Sequence, residues 1–324
     1  MDEILENVSQ VLRLTRYQFL RLKMHGAQQV LAEKKGKQRL AFDKLSSKFE
    51  GFYKTLSDQN MDKFTTPLWK KYNGRVESAL LPNPSFSFLR DPGIMYTMFA
   101  TSGGKWLRHE MAFLEKKVSK SELRNLLEED YVGDPLLFDT KYLTSHTAVH
   151  HLYHFIKFLN TTNTKPSELK TIVEWGGGYG SMIRILRKHL SGSSTYVMID
   201  TPLFSCLQWI FLSTIFGERN VNLLLKNTDQ IKKGKINIVP LNFLDKLKIK
   251  ADLFISTWAL SESSKYSQDY VMKRNWFDAK HLLIAFQENP AGLFNPARVG
   301  ELAKSKGAII EDIEFLSGNH YAFK

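Results

Sequence analysis

Cysteine is almost absent from this 324-residue chain, with Cys206 standing alone. No intrachain disulfide can form, no cysteine-built metal site exists, and a reducing compartment is the simplest reading. Long apolar runs are missing too. The best of them, Cys206–Phe216, is interrupted by Gln208 and Ser213 and is too short to span a bilayer. The opening residues Met1-Asp-Glu-Ile-Leu-Glu6 are acidic and lack a basic stretch followed by an apolar one, so a secretion signal is not expected and a soluble, cytoplasmic chain is. No internal repeat or low-complexity tract is visible. Basic residues are plentiful but nowhere concentrated. The net charge of +12 divides at residue 165 into +7 and +5, without the basic tail or arginine-rich stripe that tracks phosphates. No stable nucleic-acid partner is expected, whereas anionic substrates or peripheral contact with an anionic membrane face are compatible with the charge.

What the sequence has is one dense local signal, Thr171-Ile-Val-Glu-Trp-Gly-Gly-Gly-Tyr-Gly-Ser181. It reads as an apolar strand ending in an acid, a glycine turn, and a helix with Met182, Ile183, Ile185, Leu186 and Leu190 at helical spacing. Glycines permit a tight turn and close approach of a ligand to the main chain, and the helix N-terminus adds unpaired N–H groups. The dinucleotide fingerprint G-x-G-x-x-G fails, because its third glycine falls on Ser181. The spacing that fits is Glu174-x-Gly176-x-Gly178-x-Gly180, with Gly177 filling the turn. It closely resembles the motif of class I S-adenosylmethionine (SAM) methyltransferases, and SAM is the cofactor this resemblance implies.

The rest of the chain takes its place around that stretch. Residues 1 to about 80 look helical, with Ile4, Leu5, Val8, Val11 and Leu12 at helical spacing. The basic segment Glu33–Arg39 is expected to break or expose its helix, and a second helix is expected over Leu40–Leu56. Pro82-Asn-Pro-Ser85, Asp91-Pro-Gly93 and Gly133-Asp-Pro135 read as turns. Helices are expected at Lys105–Lys117, Ser121–Glu129 and Ser145–Leu159. A polar linker, Thr161-Thr-Asn-Thr-Lys-Pro166, sets a boundary between a helical domain, 1–165, and an α/β domain, 166–324. In the latter, helices alternate with strands that end near Glu174, Asp200, Val239, Ser256 and Phe286. A closing antiparallel pair spans Ala308–Phe315 and Tyr321–Lys324. The expected fold is a Rossmann-like, seven-stranded class I methyltransferase sheet behind an N-terminal helical domain.

Ligands of open α/β sheets sit beyond the carboxyl ends of the strands, which nominates particular side chains. Glu174 organises the glycine turn or meets the cofactor's amino group. Asp200, twenty residues past Gly180, is placed to accept from ribose hydroxyls, although Asp200-Thr201-Pro202 would equally start a helix. Asn242 and Phe243 follow strand three, where adenine is usually flanked by an amide and an apolar ring; Phe243 fits the core as well. Ser256 ends strand four. Methyl transfer to a hydroxyl needs a proton acceptor. The candidates are His146 and His150, four residues apart on one helix, together with Glu262 and Glu288 near the ends of strands four and five. His154 continues the histidine row, and His151 is expected to point away from it. Two histidines at that spacing can bind a metal, but no acidic third ligand lies beside them in sequence, so no metal is expected.

Further stretches resemble one group in particular, the sugar O-methyltransferases of bacterial surface-polysaccharide clusters. They are Val197-Met-Ile-Asp-Thr-Pro-Leu203 with Gln208, Asp252-Leu-Phe-Ile-Ser-Thr-Trp-Ala-Leu-Ser-Glu262, and Gly133-Asp-Pro135. The similarity covers about residues 130–290. Trp175 stands where the group has a small aliphatic residue, and Glu262-Ser263 where it has Glu-Met. The resemblance implies methylation of a sugar hydroxyl in a glycan or its precursor, with Glu262, His146 and His150 as acceptor-side residues. Ser256-Thr-Trp-Ala259 is not the Asn- or Asp-Pro-Pro-aromatic tetrapeptide of base amino-methylating enzymes, and Cys206 lies away from the position of a cytosine-C5 nucleophile. The alternatives are an RNA or protein methyltransferase with a basic helical half, or a non-catalytic scaffold on a SAM fold.

Overall fold

The computed structural model describes residues 28–57, 63–98, 105–139, 141–190, 192–246, 248–288 and 293–324; the helix expected over the first residues lies outside them. Three helices come first, α1 (Gln28–Ser46), α2 (Phe49–Ser57) and α3 (Pro67–Leu80). The basic segment does not break α1, which runs through Gly36. Lys34 and Lys35 instead reach Glu128 (3.0 Å) and Asp134 (2.6 Å), so part of the segment's charge is paired across the fold. Asp91-Pro-Gly93 is not a plain turn either. It starts α4 (Pro92–Thr97), with the Asp91 side chain accepting from Gly93 N and Pro92 in the first turn. Helices α5 (Lys105–Lys117) and α6 (Lys120–Leu127) follow. Then comes a small antiparallel pair, β1 (Leu137–Asp139) and β2 (Thr144–Ser145). Ser145 caps α7 (His146–Thr162) by accepting from Ala148 N at 3.1 Å.

The second half alternates as expected, through β3 (Thr171–Trp175), α8 (Ser181–His189), β4 (Thr195–Asp200), α9 (Pro202–Phe216), β5 (Val221–Leu223), β6 (Ile236–Pro240) and β7 (Leu253–Thr257). It continues with α10 (Ala259–Glu262), α11 (Lys265–Lys273), β8 (His281–Gln287), α12 (Arg298–Ser305), β9 (Ile309–Asp312) and β10 (Asn319–Phe323). One sheet has the order β5-β6-β4-β3-β7-β8-β10-β9. Pairings are parallel except those of β10 with β8 and β9. From β6 to β9 this is the class I methyltransferase sheet. The added edge strand β5, three residues long, is too short to show a period in the sequence. The chain leaves β3 toward β4 and later returns to β7 on its other side. That reversal opens a crevice above Glu174, which lies in register with Met198 and Ile255.

Helix α9 is apolar on nearly every side, and its residues Pro202–Thr214 are all buried. The reason is packing on two faces: one rests on the sheet, and α1 and α2 cover the other, with Phe52 edge-on to Trp209 at 4.7 Å. None of the described helices is long and apolar enough to cross a membrane.

A buried ionic cluster joins the two halves. Arg184 on α8 is fully buried and meets Glu129 (3.1 Å) and Asp130 (3.0 Å), while Lys188 adds a second cation to Asp130 at 3.0 Å. Burial alone would raise the Asp130 carboxyl; Arg184, Lys188 and Lys34 together hold it well below the carboxylate range. Glu129 in turn accepts a short hydrogen bond from Ser145, the cap of α7. The helix behind the glycine turn is thereby tied to the helix that carries the histidines.

Candidate active site

The carboxyl ends of β3, β4 and β7 open onto a cavity of about 410 Å³, a size usual for small-molecule sites. Its floor is the glycine turn. Gly176 donates to Ile199 O (2.9 Å), and Gly180, at φ +104°, begins α8. Gly176 itself has φ +74°, and a Cβ there would lie 2.2 Å from the Ala259 Cβ, so the turn requires glycine on both conformational and steric grounds. Above Gly178 the space is open, as close ligand approach requires.

Two acids border this floor. Glu174 is buried beneath Gly177, with its Oε2 unpartnered. Burial, with the Asp200 charge nearby, pushes its carboxyl up to about 8. Asp200 accepts from Thr201 N on Oδ1 (2.8 Å) and from Gln208 Nε2 on Oδ2 (2.8 Å). Gln208 also donates to Gly178 O at 2.9 Å, so it couples the acid to the turn. Burial raises Asp200 to about 7 against these hydrogen bonds. The Gly177 and Gly178 backbone N–H groups also face this carboxyl, so the acid is tied into the glycine turn.

The opposite wall comes from the helices that precede the sheet. Trp106 on α5 meets His146 edge-on at 4.6 Å and His150 at 5.0 Å. Trp258, at the end of β7, lies nearly parallel to His150 (5.6 Å, 15°) and donates its indole N–H to Asn319 at 2.7 Å. Its backbone adopts φ +64°, a strained conformation for so bulky a residue and one that clusters at functional sites. The His150 Nδ1 shares a very short hydrogen bond with Glu110, a fully buried acid on α5 whose Oε2 has no partner. Burial sends this pair in opposite directions, His150 down to about 3 and Glu110 up to about 8. Glu262 accepts from Trp69 Nε1 (3.1 Å) and Gln287 Nε2 (3.2 Å), and burial raises its carboxyl. No lysine or arginine is among the described residues that line this cavity. The chain's positive charge lies elsewhere.

The structure thus brings Glu174, Gly176, Gly177, Gly178, Asp200, Thr201, His146, His150 and Glu262 to one cavity. Other nominated residues are placed differently. Asn242 donates its amide to Leu56 O (2.7 Å), Phe243 is core, and the residue of that segment lining the cavity is Leu241. Ser256 is buried between Trp175 O and Leu260 N, and Thr257 takes its place at the rim. Glu288 lies outside, paired with His320 at 2.9 Å. His151 does not point away but lines the same cavity, whereas His154 is buried with its Nδ1 against the Tyr321 hydroxyl at 2.5 Å. Glu110, Trp106, Trp258 and Trp69 are the additions. Nothing near them in sequence signals their part, since each reaches the site from a separate element.

No family model matches the chain, and no curated protein sequence does. Its fold is similar to solved methyltransferases. A mitomycin 7-O-methyltransferase aligns at 14% identity over 76% of this chain and 74% of its own, with a TM-score of 0.37. The magnesium protoporphyrin IX methyltransferase of Synechocystis PCC 6803, solved with bound SAM, aligns at 12% over 54% and 78%, with 0.36. An O-methyltransferase family protein from Burkholderia thailandensis aligns at 12% over 67% and 70%, with 0.35. At such scores the fold assignment rests on the strand order itself, which is that of a class I methyltransferase sheet with one added edge strand.

Proposed function

We propose that the chain is a SAM-dependent O-methyltransferase acting on a hydroxyl of a neutral sugar, in a glycan or its precursor. The observation that carries this reading is a single cavity shared by two unlike walls. One wall is the glycine turn with Glu174 and Asp200; the other is the histidine row with Glu262. The cofactor fits the first wall: an orphaned Glu174 oxygen, an unpartnered Thr201 hydroxyl and open space over Gly178. When bound, SAM supplies an electrophilic methyl group on a sulfonium. Asp200 would accept from the ribose hydroxyls, and Glu174 would offset the ligand's ammonium charge.

Transfer to a hydroxyl is an in-line displacement, so the acceptor must be held and desolvated and its proton removed. Trp106, Trp258, Asn73, Gln287 and Asn319 line the cavity, a mixture of aromatic surface and amides suited to a ring that bears hydroxyls. The proton can pass to Glu262 or to the His150–Glu110 pair. His150→Ala and Glu262→Gln are each expected to lower turnover by about 10²- to 10⁴-fold while S-adenosylhomocysteine (SAH) still binds. Labelled methyl transfer to a panel of neutral glycan precursors measures this, and full turnover in both variants would remove the acceptor-side assignment. A cavity lined by three acids, with no lysine or arginine among its described residues, disfavours a phosphate backbone as acceptor.

The acid pair also sets a pH dependence. Both carboxyls titrate above their unfolded values, at about 8 and about 7. The folded protein therefore holds extra protons, and this contribution to stability is lost as pH rises from about 4 through that range. An ammonium-bearing ligand favours the ionised carboxyls. The melting-temperature gain from saturating SAH is thus expected to be larger at about pH 8.5 than at about pH 6. An equal gain at both would show that the acids do not meet the ligand.

A further inference from the structure

We propose that Glu110, His146 and His150 form a site for a divalent first-row cation of the zinc or cobalt type at the acceptor end of the cavity. The cation's catalytic role rests on the function proposed above; its binding does not. One donor atom from each of the three side chains lies within 4.8 Å of the other two, close enough for small side-chain rotations to bring them onto one ion at the usual 2.0–2.2 Å. Two imidazoles with one carboxylate suit zinc, cobalt, nickel, manganese or iron better than magnesium or calcium, which favour all-oxygen shells. Three protein ligands leave coordination positions open, the pattern of catalytic rather than structural sites. Both histidines line the cavity, so those positions face it.

Independent features of the surroundings fit. Glu110 is fully buried and keeps one oxygen unpartnered although its other oxygen meets His150. Both imidazoles are wedged by indoles: His146 edge-on to Trp106, and His150 between Trp106 and the near-parallel Trp258. Such packing restrains the orientation of both rings. The neighbouring His154, with its ring 4.0 Å from that of His150, is engaged by Tyr321 and is left out of the ligand set. A cation here would hold the acceptor hydroxyl and lower its pKa. The hydroxyl oxygen then bonds the methyl carbon as the carbon–sulfur bond breaks, and the hydroxyl proton passes to Glu262 and on to solvent.

The test uses tag-free full-length protein stripped with chelator and titrated with Co²⁺, followed by visible absorption. One Co²⁺ per chain is expected, at micromolar Kd or tighter and displaceable by Zn²⁺. His146→Ala and Glu110→Gln should each weaken it by about 100-fold or more, since loss of even an outer-shell partner costs 10- to 100-fold. SAH affinity, measured on the same samples, should stay within about twofold of wild type, as neither residue touches the glycine wall. The absence of a saturable signal in the wild type, or its survival in both variants, would overturn the site in favour of a metal-free His150–Glu110 pair. Should the variants not fold, X-ray absorption at the zinc edge of the loaded wild type decides. A shell with two imidazoles supports the site, and any other shell overturns it. Cobalt binding without SAH binding would leave this site standing and remove the cofactor reading instead.

Discussion

Replacing Asp200 with alanine is expected to weaken SAH binding by at least about 100-fold, equivalent to about 2.7 kcal/mol. Asp200 lines the cavity beside the glycine turn, and a hydrogen bond to a charged group contributes about 1.5–3 kcal/mol. The turn keeps a tie in the variant, because Gln208 also donates to Gly178 O. Loss of affinity would therefore report the missing carboxylate rather than a collapsed loop. Calorimetric titration of wild type and variant, with circular dichroism to confirm folding, is the measurement. Wild-type binding that the variant retains within threefold would end the ribose assignment. No wild-type binding would end the methyltransferase reading altogether.

The second large effect is on stability. Arg184→Met should destabilise the protein by about 3–5 kcal/mol, because it leaves the buried acids Glu129 and Asp130 without their main cation. Lys188 offsets part of the loss at Asp130, at 3.0 Å, and Glu129 has no second cation within ion-pair distance among the described residues. Denaturant unfolding, compared at a common m-value, gives the number directly. A change below about 1 kcal/mol would mean that solvent reaches the cluster and that its charges are screened. The same substitution reports on the connection between the halves. Glu129 holds the Ser145 cap of α7, so loosening it frees the N-terminal end of the helix that carries His146 and His150.

The candidate cofactor half of the site was legible in the sequence because its parts are local. Glu174, the glycines and α8 form one continuous strand–turn–helix, where spacing alone fixes which atoms face the cavity. Asp200 follows from the rule that ligands meet strand ends. Alternation of elements also gave the sheet, apart from β5, whose three residues carry no period. Errors gathered where a residue's neighbour comes from far away. Asn242 suits an adenine pocket by position, yet its amide is taken by Leu56 O, 186 residues earlier. The sequence also could not show what covers the apolar run of α9, because α1 and α2 lie more than a hundred residues before it. His151 was expected off the histidine row since helical spacing describes a single face, whereas the cavity wraps around more than one.

The acceptor half shows the division most sharply. By itself the sequence determined the class of sheet, the glycine turn, the acids at the ends of β3 and β4, and a pair of histidines one helical turn apart. It also denied that pair a third ligand, since no acid lies beside it. Only the tertiary structure brings an acid, Glu110, within reach of both. Packing of α5 on α7 buries Glu110 against His150, and β7 turns back to lay Trp258 over the same imidazole. These partners are set by side-chain volumes and helix crossings across 40 and 108 residues, distances at which periodicity carries no information. Local chemistry is written in spacing; the meeting of distant groups is decided by what the core must bury.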